Sequence, residues 1–143
     1  MNRFELQQLA AMRLSDAKAL LETGDNDAGA YYMVGYAVEC ALKAVIAKNQ
    51  GEYPYPDFGD PTFKKESYFT HNIKSLIAVA RIKDDLDIER RNNQSLEENW
   101  ATVERWNEQS RYEITRNSTE TCELVVAIAD PQDGVLSWLK QIW

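Results

Sequence analysis

The side chains best suited to chemistry in this sequence are one histidine and a short segment with two arginines. His71 is the single histidine of the chain, and an imidazole exchanges a proton near neutral pH. Arg105 and Arg111 supply guanidinium groups, which bind phosphate or carboxylate oxygens through paired hydrogen bonds. Tyr112 follows directly. This set of side chains indicates proton transfer or anion binding.

Metal chemistry finds little support in the sequence. Cys40 and Cys122 are the two cysteines; they lack CxxC spacing, and one histidine cannot complete a zinc site with them. We expect no metal site and no cofactor. Both thiols are predicted to be free and buried on helices, as in proteins of a reducing cytoplasm.

Length and charge narrow the function further. The 143 residues predict a single domain over 1–143, and the net charge of −7 argues against broad nucleic-acid binding, which needs a basic surface. A local basic pocket is compatible with that charge. The charged N-terminus is unlike a signal peptide, and we expect no stretch of 18 apolar residues. The sequence thus predicts a cytoplasmic protein without a membrane span.

The element that must position these groups is a helix over residues 28–49. It is apolar on nearly every side, which is typical of the central helix of a bundle. Glu39 and Lys43 lie four residues apart on it, either as an ordinary ion pair or as part of a groove. Gly29 and Gly35 cost helix propensity, and we expect them where another backbone approaches closely.

The flanking segments predict an all-α fold, an antiparallel bundle of about five helices without strands. The aromatic and proline-rich segment 51–70 is predicted to be an ordered loop over the bundle, or else a surface that covers a partner. The remaining expectations are a first helix at 4–22, a third opening at 70–72, a solvated helix end and loop at 81–93, a fourth helix at about 95–109, and a last helix from near Thr119 that breaks near Asp130 and Pro131.

Three stretches of the sequence resemble the HEPN domain family of small helical bundles. The first runs from Ser15 through the tyrosine- and alanine-rich central helix, with Glu39 and Lys43 in an E-x-x-x-K pattern. The second, at residues 71–76, is similar to the family's H-[DN]-hydrophobic start of the third helix. The third lies at 105–112.

The resemblance implies a homodimer with a functional groove between its subunits. Many relatives are metal-independent ribonucleases; others pair with a minimal nucleotidyltransferase as toxin and antitoxin, or serve as binding modules in defence or nucleotide sensing. The nucleases carry R-x4-6-H, often extended by x-Y. Arg105 and Tyr112 match that pattern, but Ser110 stands in the place of the histidine, and a serine hydroxyl does not titrate near neutral pH. His71 could supply the proton carrier only if the fold or a dimer brought it to Arg105.

Each candidate also has an ordinary structural interpretation. The two arginines could be ion-pair partners, Tyr112 a core or interface anchor, and His71 a helix-start residue. Trp106 could be a core or dimer contact, or a surface for base stacking. The candidate catalytic residues are Arg105, Arg111, Tyr112 and His71, and the candidate binding residues are Ser110, Trp106, Glu39 and Lys43.

Three hypotheses stay open at this point. The first is a HEPN protein of a toxin–antitoxin, anti-phage defence or nucleotide-linked module, which binds RNA or a nucleotide without the standard nuclease chemistry. The second is a divergent metal-independent endoribonuclease that uses His71 or Tyr112 with the arginines. The third is a non-catalytic subunit that binds a nucleotidyltransferase through the aromatic loop at 53–69.

Overall fold

The structure, a computed structural model, describes residues 1–50 and 68–143, and in these residues it is all-α with no strand. The predicted fold class is therefore confirmed, although these residues form seven α-helices rather than about five. The aromatic loop predicted at 51–70 lies outside the described residues except for its last three. The elements are α1 (Arg3–Thr23), α2 (Asp27–Gln50), α3 (Ile73–Ala80), α4 (Lys83–Asn92), α5 (Gln94–Val103), a 3₁₀ helix (Glu108–Tyr112), α6 (Ser118–Ala129) and α7 (Val135–Lys140).

The first two helices form a hairpin with well-defined ends. Asn2 and Glu5 make a reciprocal capping box at the start of α1, and Gly24 ends it in the left-handed conformation at φ 77°. The chain then enters α2 at Asp27. Because the connection is so short, α1 folds back and packs along α2, as predicted.

Helix α2 is the centre of the fold. Fourteen of its 24 residues are buried, and α1, α3, α6, α7 and the 3₁₀ helix all pack against it. By length and composition alone α2 is apolar enough to cross a membrane, contrary to our expectation that no such stretch exists. However, 78 % of its most apolar window is buried inside the protein. A mostly buried core helix passes the same test of length and composition.

Two segments between 81 and 112 differ from the prediction. The charged run at 81–93 contains α4 rather than a loop, because Leu86 is buried and the acidic first turn and basic last turn both suit the helix dipole. Helix α5 ends at Val103 rather than near 109. Asn107 then adopts an extended conformation and caps the 3₁₀ helix by accepting a hydrogen bond from the amide of Gln109. The high charge of residues 81–93 led us to expect a loop where α4 lies. Because Asn107 caps a separate 3₁₀ helix, the fourth predicted helix is shorter than expected.

The predicted break of the last helix is confirmed. Asp130, at φ −51° and ψ 124°, lies outside the helical region before Pro131, and α7 begins only after Gly134. The cysteine prediction was half right. Cys40 is buried, but Cys122 is exposed, because it lies on the same outer face of α6 as Val126, which is 62 % exposed.

Candidate functional site

A cavity of about 250 Å³ lies between the start of α3 and the turn that follows α5, and His71 and Arg105 both line it. The fold therefore brings the single histidine and the first motif arginine to one place, although they belong to separate segments. Trp106 also contributes to the wall. The complete lining is His71, Asn72, Ile73, Lys74, Glu104, Arg105, Trp106, Asn107 and Glu108.

His71 is held by a buried carboxylate of the central helix. Its Nδ1 atom lies 2.9 Å from Oε1 of Glu39, and the same oxygen accepts a hydrogen bond from Nζ of Lys43 at 2.7 Å. Glu39 is only 1 % exposed, and a buried carboxylate is costly unless cations or donors compensate its charge. Within the described residues Oε2 of Glu39 has no hydrogen-bond partner. Among the described residues, Lys43 and His71 are thus the two side chains that compensate this charge.

Arg105 is placed by the residue that follows it. The indole of Trp106 is 4 % exposed and packs against α2 at Gly35, while the ring of Tyr32 stacks on it at 6.2 Å. Arg105 itself is exposed and forms no ion pair with any described residue. Its interpretation as an ion-pair partner therefore finds no support among the residues that the structure describes, none of which competes with a ligand for its guanidinium through an ion pair.

The wall of the cavity carries charges of both signs. Lys74 and Arg105 are permanent cations at its wall, and Glu104 and Glu108 are the carboxylates. Glu104, however, is paired with Arg90, which also holds Glu97. Because Arg90 is shared between two carboxylates, it offsets the charge of Glu104 only in part. The formal charges of the two cations and two carboxylates in the lining therefore balance.

Arg111 and Tyr112 form a separate exposed pair. The guanidinium of Arg111 lies 4.8 Å from the centre of the Tyr112 ring, and the phenol groups of Tyr112 and Tyr32 raise the pKa of Arg111. Tyr112 is 69 % exposed, so it is not a core anchor in this subunit. Ser110 is buried, and its hydroxyl has no partner in the described part of the chain. None of these three residues lines the His71 cavity.

Sequence reasoning missed Arg116. Its guanidinium lies 3.7 Å from the centre of the Tyr31 ring and pairs with Glu113 and Glu120, and it shares a second cavity of about 150 Å³ with Arg105. Burial raises the pKa of Tyr31 in spite of this cation. The available signal was a third arginine that follows Arg105 and Arg111 in the same segment. Because Arg116 already has two carboxylate partners, Arg105 is the better ligand-binding cation of the pair.

The described residues hold no group of three or more side chains arranged to bind a metal ion. No curated protein and no solved structure matches the chain. The HEPN domain model matches residues 5–56, which cover α1, α2 and the start of the segment after them. The stretches at 71–76 and 105–112 lie outside that match. The match confirms the resemblance seen in the first helix pair: residues 5–56 match the HEPN domain family.

Proposed function

We propose that this protein binds RNA or a nucleotide through a phosphate group in the cavity lined by His71 and Arg105. In this proposal it acts in a toxin–antitoxin, anti-phage defence or nucleotide-linked module. The observation that carries the proposal is the shared cavity. It is lined by Arg105, which has no ion pair among the described residues, and by His71, which a buried carboxylate holds.

The wall chemistry supports a phosphate rather than a neutral ligand. The planar fork of Arg105 can bind two phosphate oxygens at once, and Lys74 adds a point charge from the first turn of α3. The amides at the start of that helix carry partial positive charge. Trp106 is too deeply buried to offer a ring face for stacking, whereas the exposed ring of Tyr112 could stack on a base.

The test is a titration of fluorescein-labelled single-stranded RNA and labelled nucleotides with the purified protein, followed by fluorescence anisotropy. A hydrogen bond to a charged group contributes roughly 1.5–3 kcal/mol, so Arg105→Ala should weaken binding by about tenfold or more. Arg91→Ala is the matched control, because Arg91 is exposed on α4 and lies outside the lining of the cavity.

Salt dependence separates a phosphate contact from a loss of folding. The slope of log affinity against log salt should fall by about one for each phosphate contact removed in Arg105→Ala. Equal affinities for wild type and Arg105→Ala would refute the proposed site, and absence of binding to every probe would refute the proposal as a whole.

The same geometry favours one second candidate, a metal-independent endoribonuclease. Ser110 cannot carry a proton near neutral pH, but His71 can, and the cavity places it with Arg105. The assay is cleavage of total RNA in EDTA. Wild type should cleave, and His71→Ala should be at least about 100-fold slower, because general acid–base catalysis contributes at least that factor. Cleavage by His71→Ala at the wild-type rate would reject this candidate.

Assembly is part of the proposal and stays a prediction. The homodimer implied by the resemblance can be measured by light scattering of the purified chain. The partner-subunit hypothesis depends on a loop at 53–69 of which the structure describes only Tyr68 and Phe69, so it gains no support here.

A further inference from the structure

We propose that Glu39 is the positioning residue of a Glu39–His71 pair that makes His71 the proton acceptor for cleavage of RNA at its 2′-hydroxyl. This inference rests on the second candidate function above. It concerns Glu39 of α2 and His71, which lies just before α3, two residues that meet only in the folded chain.

The contact decides which imidazole nitrogen carries the proton. A carboxylate only accepts hydrogen bonds, so the 2.9 Å contact requires a proton on Nδ1 of His71. In the neutral ring the lone pair then belongs to Nε2, and this atom becomes the base. The contact thus selects the tautomer as well as the orientation of the ring.

The carboxylate is a rigid support for this role. Glu39 lies on the central helix and is 1 % exposed, whereas 44 % of the His71 side chain is exposed. Lys43 holds the same oxygen at 2.7 Å, so the carboxylate is tied from a second side. Glu39 is therefore held in a fixed position, and His71 lines the cavity.

The cavity also supplies the electrostatic part of the reaction. In the described part of the chain, the charged groups around His71 are Glu39 and Lys43 from α2, Lys74 from α3, and Glu104, Arg105 and Glu108 from the segment after α5. Of these, Arg105 has no ion pair with any residue that the structure describes, and it can stabilise the charge that grows on the phosphate oxygens.

The step balances without a metal or an oxidant. Nε2 of His71 takes the proton of the ribose 2′-hydroxyl while the 2′-oxygen forms a bond to the adjacent phosphorus. The bond from phosphorus to the 5′-oxygen breaks, and that oxygen takes a proton from water. The products are a 2′,3′-cyclic phosphate and a 5′-hydroxyl end, and the hydroxide formed from the water takes the proton back from His71.

One experiment reads the tautomer directly. Because His71 is the only histidine, full-length protein labelled with ¹⁵N-histidine has one pair of imidazole signals. At pH 8 the wild type should show a protonated Nδ1 and an unprotonated Nε2. Glu39→Leu should lose this preference and cleave RNA at least about tenfold more slowly, while Glu98→Leu, at an exposed position of α5, should match wild type in both measurements.

The outcomes separate the two claims. A protonated Nε2 in wild type overturns the inference, and this measurement needs no variant that could misfold. An unchanged tautomer in a folded Glu39→Leu variant also overturns it. If the tautomer is as expected but His71→Ala cleaves like wild type, the catalytic half of the inference fails together with the nuclease candidate. RNA binding by Arg105 is judged separately by anisotropy.

Discussion

The indole of Trp106 occupies the space that a side chain at position 35 would need. A Cβ atom built on Gly35 would lie 2.2 Å from both Cε2 and Nε1 of Trp106, far inside van der Waals contact. Glycine therefore permits the indole to lie directly on α2, and Arg105 is the residue next to it in the chain. The position of Arg105, the candidate phosphate-binding side chain, thus depends on glycine at position 35 of the central helix.

Gly35→Ala should destabilise the protein and weaken phosphate binding together. The substitution gains about 1 kcal/mol of helix propensity, but it must displace a buried ring, and overpacking a core costs typically 1–3 kcal/mol. The displaced ring would move Arg105 with it. Chemical denaturation measures the first effect, and RNA anisotropy measures the second.

The matched control is Gly29→Ala on the same helix. A Cβ at Gly29 would meet only Cδ1 of Leu20, at 3.4 Å, which is the end of a flexible side chain. This variant should therefore keep most of the gain in helix propensity and bind RNA like wild type. If both alanine variants were equally stable, the close packing of Trp106 on Gly35 would not be a determinant of the fold.

The central helix could be predicted from the sequence because its signal is local. Residues 28–49 are apolar on nearly every side, and Asp27–Gln50 is the helix found. Helix α4 was missed because its sequence is mostly charged, and a single buried side chain, Leu86, ties it to the core. Local hydrophobic content predicts helices that bury most of their surface, but it does not predict helices that bury one residue.

The candidate site was predictable as residue types but not as an arrangement. His71, Arg105 and the Glu39–Lys43 pair were each identified from type and spacing. The contact of His71 with Glu39 joins α2 to the residues just before α3, and no spacing rule connects positions 39 and 71. The expectation that another backbone approaches Gly35 was wrong, because the group that packs on it is the ring of Trp106.

The two cysteines should differ strongly in reactivity. Burial raises the pKa of the Cys40 thiol to about 12, and the thiolate is the reactive form. Cys122 is exposed. We expect iodoacetamide at pH 8 to modify one thiol in the native protein and the second only in denaturant, as measured by mass spectrometry. Cys122→Ser should abolish the fast reaction. If both thiols of the native wild-type protein reacted rapidly, the burial of Cys40 in α2 would be contradicted.

The same burial predicts a loss of stability in alkali. The unfolded chain ionises Cys40 near its ordinary pKa of 9.0, whereas the folded chain keeps it protonated up to about 12. The unfolded state therefore gains the ionisation between these values, and stability should fall as the pH rises through that range. Tyr36, whose pKa burial also raises to about 12, acts in the same direction. Denaturation midpoints from pH 8 to 11 measure the effect.

Asp130 should make the break between α6 and α7 sensitive to acid. Its carboxylate accepts hydrogen bonds from the amides of Asp133 and Gln132, which lower its pKa below 3.8. A depressed folded pKa means that the stabilisation is complete above 3.8 and is lost as the pH falls through the folded value. Asp130→Ala should melt lower at pH 7, and its difference from wild type should shrink toward pH 3. Glu22→Ala, an exposed carboxylate at the end of α1, should show no such convergence.

Arg90 should influence the candidate phosphate site without touching it. Its guanidinium pairs with Glu97 on one side and with Glu104 on the other, and Glu104 lines the His71 cavity. Arg90→Ala leaves Glu104 without this cation, so its negative charge repels the phosphate of the ligand. RNA should therefore bind several-fold more weakly at low salt. The difference should fade as salt screens the charge.

The stability of the same variant has its own signature. Removing the pair should lower the free energy of unfolding only slightly, because exposed ion pairs are screened by solvent and salt. In wild type Arg90 lowers the pKa of Glu97 below 4.5, so this stabilisation is present above that pH and is lost as the pH falls further. Arg90→Ala should therefore lose less stability on acidification than wild type, and Arg91→Ala on the same helix should lose as much as wild type. Weaker binding that persisted undiminished at high salt would mean that Arg90 shapes the cavity through packing, and the charge argument for Glu104 would be wrong.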